Sequence, residues 1–400
     1  MKIQIRIISC RLVNFLKITI TDKYTMKFNV SGKALQTQLQ AVSKVIASKN
    51  AMSILDNFLL RVTSDRLYIT GGDQENVMTA WVEIFDVEGE GEVAVLAKRL
   101  LEVTKEVSNQ PLKFFINEQT KEIDINFMNG HFNFTGVDAA EYPRKKDHEE
   151  GATVLEFPAM MVLTALEGTL FAASADPIRP IMTGVFWDIE PERVTFVCSD
   201  THKLVKYEVT EVAPGLTDSF ILPAKPANVI KSLLGKEEDS MVKITKDEKS
   251  ATFEFDTFSL STRLIKGNYP QYRRVFPKDN PYCLIVNRES LLNAVRRVAL
   301  FASKASKLVK FNIQPTEVLM ASQDLDYATS AEERVECEYQ GTPMTIGFNS
   351  DYMTEVLSNL QGDDVKVELA DPARPGLFSP VEQKEGVDVV MLQMPMQVIE

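Results

Sequence analysis

The pair Tyr-Pro occurs twice in matching settings, at Tyr142-Pro143 and Tyr269-Pro270, and 269 − 142 = 127 residues separate the two. Each pair follows a short alternating stretch, HFNFTG or TFSLSTRL, and each precedes a polar segment. Self-similarity at a fixed spacing points to one unit written several times. Three stretches fit that spacing: FNVSGKALQTQLQAV from Phe28, EFPAMMVLTALEGTL from Glu156 and VNRESLLNAVRRVAL from Val286. Val30 and Phe157 align at 157 − 30 = 127, and Phe157 and Val286 at 286 − 157 = 129. Each reads as an apolar strand, a polar cap and a helix. A second set, VLAKRLLEVTKEV, ILPAKPANVIKSLL and IGFNSDYMTEVLSNL, again runs from strand into helix. Between the two helices of each copy lie strands that end in a small polar residue beside Asp. The pattern predicts an α+β chain of three copies, each strand–helix–strands–helix–strands.

A chain of 400 residues has room for two to four domains, and 44% hydrophobic content supports substantial cores. The four cysteines, Cys10, Cys198, Cys283 and Cys337, are scattered without a CxxC pair, which fits reduced thiols in a cytosol rather than a disulfide framework. No apolar run approaches the roughly 20 residues of a membrane helix. The formal net charge of −12 speaks against a protein coated by nucleic acid. It leaves room for one basic inner surface in an otherwise acidic molecule.

Residues 1–25 match nothing that follows. They carry Lys2, Arg6, Arg11, Lys17 and Lys23 against Asp22, and Arg6 and Arg11 interrupt any signal-peptide core. They are read as an extra segment from a mis-assigned start, with the repeat beginning at Met26. The three domains are expected at 26–150, 151–279 and 280–400. The first helix carries Leu35, Leu39, Val42 and Val45-Ile46 at helical spacing.

Phosphate-binding glycine loops, HExxH and nucleophile elbows are missing from the sequence. The three histidines, His131, His148 and His202, stand far apart, so neither a catalytic metal site nor an enzyme is expected. Taken alone, His202 in SDTHKL reads as a turn residue and Tyr272-Arg273-Arg274 as a solvated basic patch. The terminal Met394-Pro395-Met396 reads as the end of an edge strand; exposed Met and Pro beside a basic turn can instead form an adaptable apolar groove for short peptides. Lysines and arginines recur on the predicted helices, among them Lys33, Lys98, Arg99, Lys105, Lys225, Arg296 and Arg297. That pattern suits phosphate contacts that do not read bases. A three-domain scaffold that only binds peptides is the rival reading.

Several motifs together, MKFNV, SILDNFLL, SDTHKL, GNYPQYRRVFP, GFNSDYM, ELADPARPGLF and the terminal MPM, resemble the bacterial DNA polymerase III beta subunits, the sliding clamps. The resemblance runs from Met26 to the C-terminus. It implies three DNA-clamp domains in a head-to-tail dimeric ring, with helices lining the inner face and antiparallel sheets outside. The function implied is that of a processivity factor in DNA replication, a non-catalytic subunit of the polymerase, cytoplasmic and without a cofactor. Its partners would be double-stranded DNA bound without regard to sequence, the polymerase alpha subunit, the clamp loader and other proteins with clamp-binding motifs.

The resemblance also implies a partner-peptide pocket from Met182, Ser199, Thr201, His202, Lys203, Leu204, Pro270, Arg274, Val275, Asn349, Tyr352, Leu392, Met394, Pro395 and Met396. DNA contacts would fall to Lys49, Lys225 and Arg297, and the dimer interface to Phe132, Leu300 and Phe301, with strands near 131–136 and 334–339 pairing between copies. Four places depart from the family pattern. Thr201 stands where glycine is usual, Lys203 where arginine is usual and Gln397 where a basic residue is common. Pro180 and Ile181 replace an aromatic pair that contacts DNA.

Overall fold

The computed structural model describes residues 24–144, 148–235 and 240–398. The extra segment at 1–25 therefore lies, up to residue 23, outside the described residues. Among the described residues there are six α-helices, and none is long and apolar enough to cross a membrane.

The first copy runs β1 (Met26–Ser31), α1 (Gly32–Ser43), β2 (Asn57–Val62), β3 (Arg66–Gly72), β4 (Asn76–Glu88), β5 (Gly91–Leu96), α2 (Ala97–Glu106), β6 (Pro111–Ile116), β7 (Glu122–Phe127) and β8 (Gly130–Thr135). The second runs β9 (Thr153–Pro158), α3 (Ala159–Thr169), β10 (Gly184–Glu190), β11 (Arg193–Ser199), β12 (Lys203–Val209), β13 (Asp218–Pro223), α4 (Ala224–Leu233), β14 (Met241–Lys246), β15 (Ser250–Phe255) and β16 (Phe258–Arg263). The third runs β17 (Tyr282–Asn287), α5 (Arg288–Ala299), β18 (Leu308–Ile313), β19 (Glu317–Asp324), β20 (Thr329–Gln340), β21 (Met344–Asn349), α6 (Ser350–Asn359), β22 (Asp364–Leu369), β23 (Gly376–Pro380) and β24 (Val387–Gln393). The order strand–helix–four strands–helix–three strands recurs three times, as the spacing predicts.

Local chemistry sets these elements. In β1, Met26, Phe28 and Val30 alternate onto the buried face. The Ser31 hydroxyl then accepts from the Ala34 amide and starts α1. Leu35, Leu39 and Val42 fall on the buried stripe of α1, and each such side chain contributes about 1.5–3 kcal/mol on burial. Asn287 and Asn349 cap α5 and α6 in the same way.

Packing divides the chain differently from the repeat. One compact unit takes the described residues up to Glu156 together with Ser240–Arg263; the other takes the described residues of Phe157–Asp239 and Leu264–Glu400. In the first unit the sheet runs β8-β7-β6-β1-β4-β16-β15-β14-β9, with β2, β3 and β5 branching from it. Helices α1 and α2 pack together, α1 also against β3 and β4, and Phe28 stacks on Phe114 at 4.9 Å. In the second unit the sheet runs β13-β10-β11-β12-β24-β23-β22-β17-β20-β19-β18-β21. There α3 packs with α4 and α5 with α6, and Trp187 lies among Phe157, Phe196 and Phe220.

Each unit contains one joint between copies. The last strand of the second copy, β16, pairs with the fourth strand of the first, β4, through Leu260 opposite Met78. The last strand of the third copy, β24, pairs with the fourth strand of the second, β12, through Met391 opposite Val205. All four of these residues are fully buried. The last strand of the first copy, β8, pairs among the described residues only with β7 and ends its sheet. The fourth strand of the third copy, β20, pairs with β19 from Thr329 to Glu336, and only Cys337–Gln340 meet β17 on the other side.

Candidate functional site

The most elaborate surface lies in the second unit, where the turn after β11 meets the first turn of α6 and the segment after β24. Ser199 Oγ donates to the Lys203 carbonyl (2.9 Å), and the His202 and Lys203 amides both donate to Asp200 Oδ1 (2.9 Å each). This Asp-centred turn holds Thr201 at φ 81°, in the left-handed region that disfavours a β-branched residue. Here the departure from glycine carries a backbone cost.

The Lys203 charge is paired within the chain. Its ammonium pairs with Asp200 (2.5 Å) and with Glu355 on α6 (2.8 Å), and it lies 4.7 Å from the centre of the Tyr352 ring. Burial alone would pull this lysine down, yet the hydrogen bonds it donates to Asp200 and Glu355 outweigh it, so it stands above its ordinary value. His202 stacks on Tyr352 with ring centres 5.2 Å apart, and its carbonyl accepts from the Met394 amide (2.8 Å). Gln393 donates to the Asn349 carbonyl (3.2 Å), and the Met396 amide to Gly347 (2.8 Å). The structure therefore gathers Ser199, Thr201, His202, Lys203, Asn349, Tyr352, Met394, Pro395 and Met396.

A second group forms an apolar floor. Val197, Leu204, Tyr272 and Leu392 are buried together, and Phe186, Tyr269, Phe276 and Leu377 pack against them. Tyr269 stacks on Phe186 at 4.6 Å. The Tyr272 hydroxyl donates to Asp188 (2.8 Å), and Arg273 donates to Tyr272, Asp188 and Glu190. Arg193 and Arg273 together hold the Glu190 carboxyl down to about 2, while burial pushes the Tyr272 phenol up to about 12. Arg273 is thus a brace, and its neighbour Arg274 is exposed with no hydrogen bond or ion pair from its side chain among the described residues. Val275 is 46% exposed and Met394 39%, so both offer apolar surface above this floor. Pro270 is exposed beside Tyr269. Met182 lies half-buried on the short turn Pro180–Met182, whose Ile181 lies against Gly267.

Sequence reasoning missed Glu355 and the brace Asp188–Glu190–Arg273. Asp200 sits three residues before Lys203 and could have signalled the turn. Nothing in the spacing of Glu355 signals that it reaches Lys203.

The remaining predicted residues are dispersed. Lys49 is exposed in the loop after α1, and Lys225 is exposed in the first turn of α4. Arg297 on α5 is forked onto Glu333, with bonds of 2.9 and 2.5 Å. Phe132 lies on β8, its ring tilted against that of Phe127 with centres 4.8 Å apart. Leu300 and Phe301, just after α5, are 81% and 41% exposed. On β20 Cys337–Gln340 already pair with β17, so within the expected pairing strand at 334–339 the open residues are Arg334–Glu336.

Three family models cover most of the chain: DNA polymerase III beta subunit, N-terminal domain, at residues 26–146; central domain, at 156–271; and C-terminal domain, at 273–397. Among curated relatives, the beta sliding clamp of Bacillus subtilis is 25% identical over 376 residues, covering 92% of this chain and 99% of that protein. The beta sliding clamp of Caulobacter vibrioides is 27% identical over 387 residues, covering 93% and 100%. Among solved structures, the DNA polymerase III subunit beta sliding clamp of Pseudomonas aeruginosa bound to griselimycin superimposes with a TM-score of 0.88 at 22% identity, covering 94% of this chain and 100% of that one. The DNA polymerase III beta subunit of Thermotoga maritima gives 0.85 at 24% identity, covering 94% and 100%.

Proposed function

We infer the function of this chain from its family: it belongs to the DNA polymerase III beta subunits, the beta sliding clamps, and is a non-catalytic processivity subunit of that polymerase. We propose that two copies close head to tail into a six-domain ring around duplex DNA. The domains would run 26–150, 151–279 and 280–400. The observation that carries the ring is the repeated joint. A last strand pairs along the open edge of a fourth strand twice within one chain, along the first part of β4 and the whole of β12. One last strand, β8, and one open half of a fourth strand, in β20, are left over. They cannot be one isologous patch, so a second copy must meet them heterologously, and closure requires both ends to be used. Phe132, Leu300 and Phe301 would be buried there.

The ring would hold DNA by linkage rather than by tight binding, which keeps the polymerase at high local concentration. Lys49 and Lys225 supply exposed charge for phosphates. Arg297 would have to leave Glu333 before it could reach one. The groove around His202, Tyr352, Arg274, Val275 and Met394–Met396 would take short apolar peptides from the polymerase alpha subunit, the clamp loader and other partners. Its exposed methionine and valine over a buried floor support that use. A cytoplasmic setting fits these partners. The test is retention on DNA. The chain loaded by a cognate clamp loader should stay on a closed circle and leave when the circle is cut; equal retention on both would refute encirclement.

A further inference from the structure

We infer that the joint between two copies carries a titratable cross-strand pair, His131 of one copy against Glu332 of the other, so that the ring closes more tightly as pH falls. The inference rests on the ring reading above, and the register comes from the joints inside the chain. Strand by strand, Leu260, Met391 and Phe132 hold the same place on the last strand, opposite Phe253, Phe378 and Ile125. Met78, Val205 and Ala331 hold the same place on the fourth strand, opposite Gly71, Cys198 and Ser322. One joint sets Leu260 against Met78 and the other sets Met391 against Val205. Both therefore translate to the same third joint, Phe132 against Ala331. A one-residue slip would turn Phe132 out of the apolar face, so the register is strongly specified. The neighbouring pair then follows: His131 stands against Glu332, as Ser259 stands against Thr79 and Val390 against Lys206.

Both side chains are exposed in the single copy, and neither has a hydrogen bond or ion pair among the described residues. The charged groups on the same face are mostly acids. On β20 they are Arg334, which lies 3.7 Å from Glu317 of β19, and Glu336. On β7 they are Asp124 and Glu122, both within reach of the Asn133 amide at 3.5 and 3.2 Å. Lys113 on β6 and Lys310 on β18 lie in the same rows two strands back, roughly 10 Å away at the usual strand spacing. At physiological salt that distance is about a screening length. Glu333 faces the other way, onto Arg297. Histidine is the side chain whose charge changes in the physiological pH range, and at this joint it would meet the Glu332 carboxylate, with Arg334 the nearest cation among the described residues.

The test uses the full chain. Its dimer dissociation constant, measured by dilution at pH about 8 and about 6, should tighten roughly two- to five-fold at the lower pH. His131→Gln and Glu332→Gln should each remove that difference, and the double variant should add nothing further. A flat profile in the unaltered chain, or an unchanged slope in His131→Gln, would overturn the pair. Register is read separately. The same alignment sets Phe134 against Thr329, so F134C with T329C should form a disulfide-linked dimer under mild oxidation, ahead of F134C with A331C. Preference for the 331 partner would overturn the register while leaving the ring. A chain that stays monomeric at every concentration and cross-links in neither variant would instead refute the ring reading itself.

Discussion

The filled joints and the open edges of this molecule are built from matching positions and differ only in what lies beside them. Leu260 and Met391 are wholly buried, because a fourth strand from the preceding copy covers them. Phe132 holds the same place and remains half-covered, and Ala331 on β20 is likewise only partly covered. Open strand edges of this kind invite pairing with another chain. One device stiffens the chain internally at two joints and leaves matching strand edges open, among the described residues, on β8 and β20.

Substitutions at matched positions should separate the two halves of that device. The largest effect is expected from Leu300→Ala combined with Phe301→Ala. Both residues are exposed in one copy, so folding stability should change by less than about 1 kcal/mol. The dimer constant should weaken by about 100-fold or more, as for central interface anchors. A dimer that persists unchanged on dilution would show that the interface lies elsewhere.

Leu260→Ala and Phe132→Ala form the next contrast. The first should cost about 2–5 kcal/mol of stability by leaving a cavity in a filled joint, with the dimer constant unaltered. The second should cost little stability and weaken the dimer at least tenfold. Denaturant melts and dilution series on both variants would expose any reversal of that order. Deleting Met394–Glu400 tests the boundary between joint and groove, since β24 ends at Gln393. Binding of a labelled apolar partner peptide should fall more than tenfold while the dimer stays; retained affinity would refute the groove.

Smaller effects follow within the groove. Thr201→Gly relieves a left-handed φ and should stabilise the chain by about 1 kcal/mol, read as a rise in melting temperature. Glu190 is held at about 2, below its unfolded carboxylate value of 4.5. The stability it contributes is therefore present above 4.5 and lost as pH falls toward about 2. Arg273→Ala should shrink that part of the acid-dependent loss, which acid titration of the unfolding midpoint would detect.

The repeat was legible because strand–helix order and hydrophobic spacing are local, and 127 residues bring Tyr142 and Tyr269 to equivalent settings. Tyr142 packs with Leu59, and Tyr269 packs with Phe186, its counterpart. The sharing of strands was not legible: nothing in the alternation of FSLSTR says that β16 leaves its own copy to pair with β4. Placement of the groove followed from a resemblance, and the geometry does bring those segments together. The roles of individual charges did not follow. Arg273 and Arg274 are adjacent and alike in sequence, yet one braces Asp188 and Glu190 while the other is exposed. The resemblance gives Lys203 to the peptide pocket and Arg297 to DNA, and each is taken up by a glutamate far away in the chain, Glu355 or Glu333.

The native mass of the full chain across a dilution series tests the ring most directly. The joint argument requires a dimer that persists at low concentration, falls to monomer with Leu300→Ala and Phe301→Ala, and survives Leu260→Ala. A monomer at every concentration, or a ladder of higher open oligomers, would contradict closure of two copies into one ring.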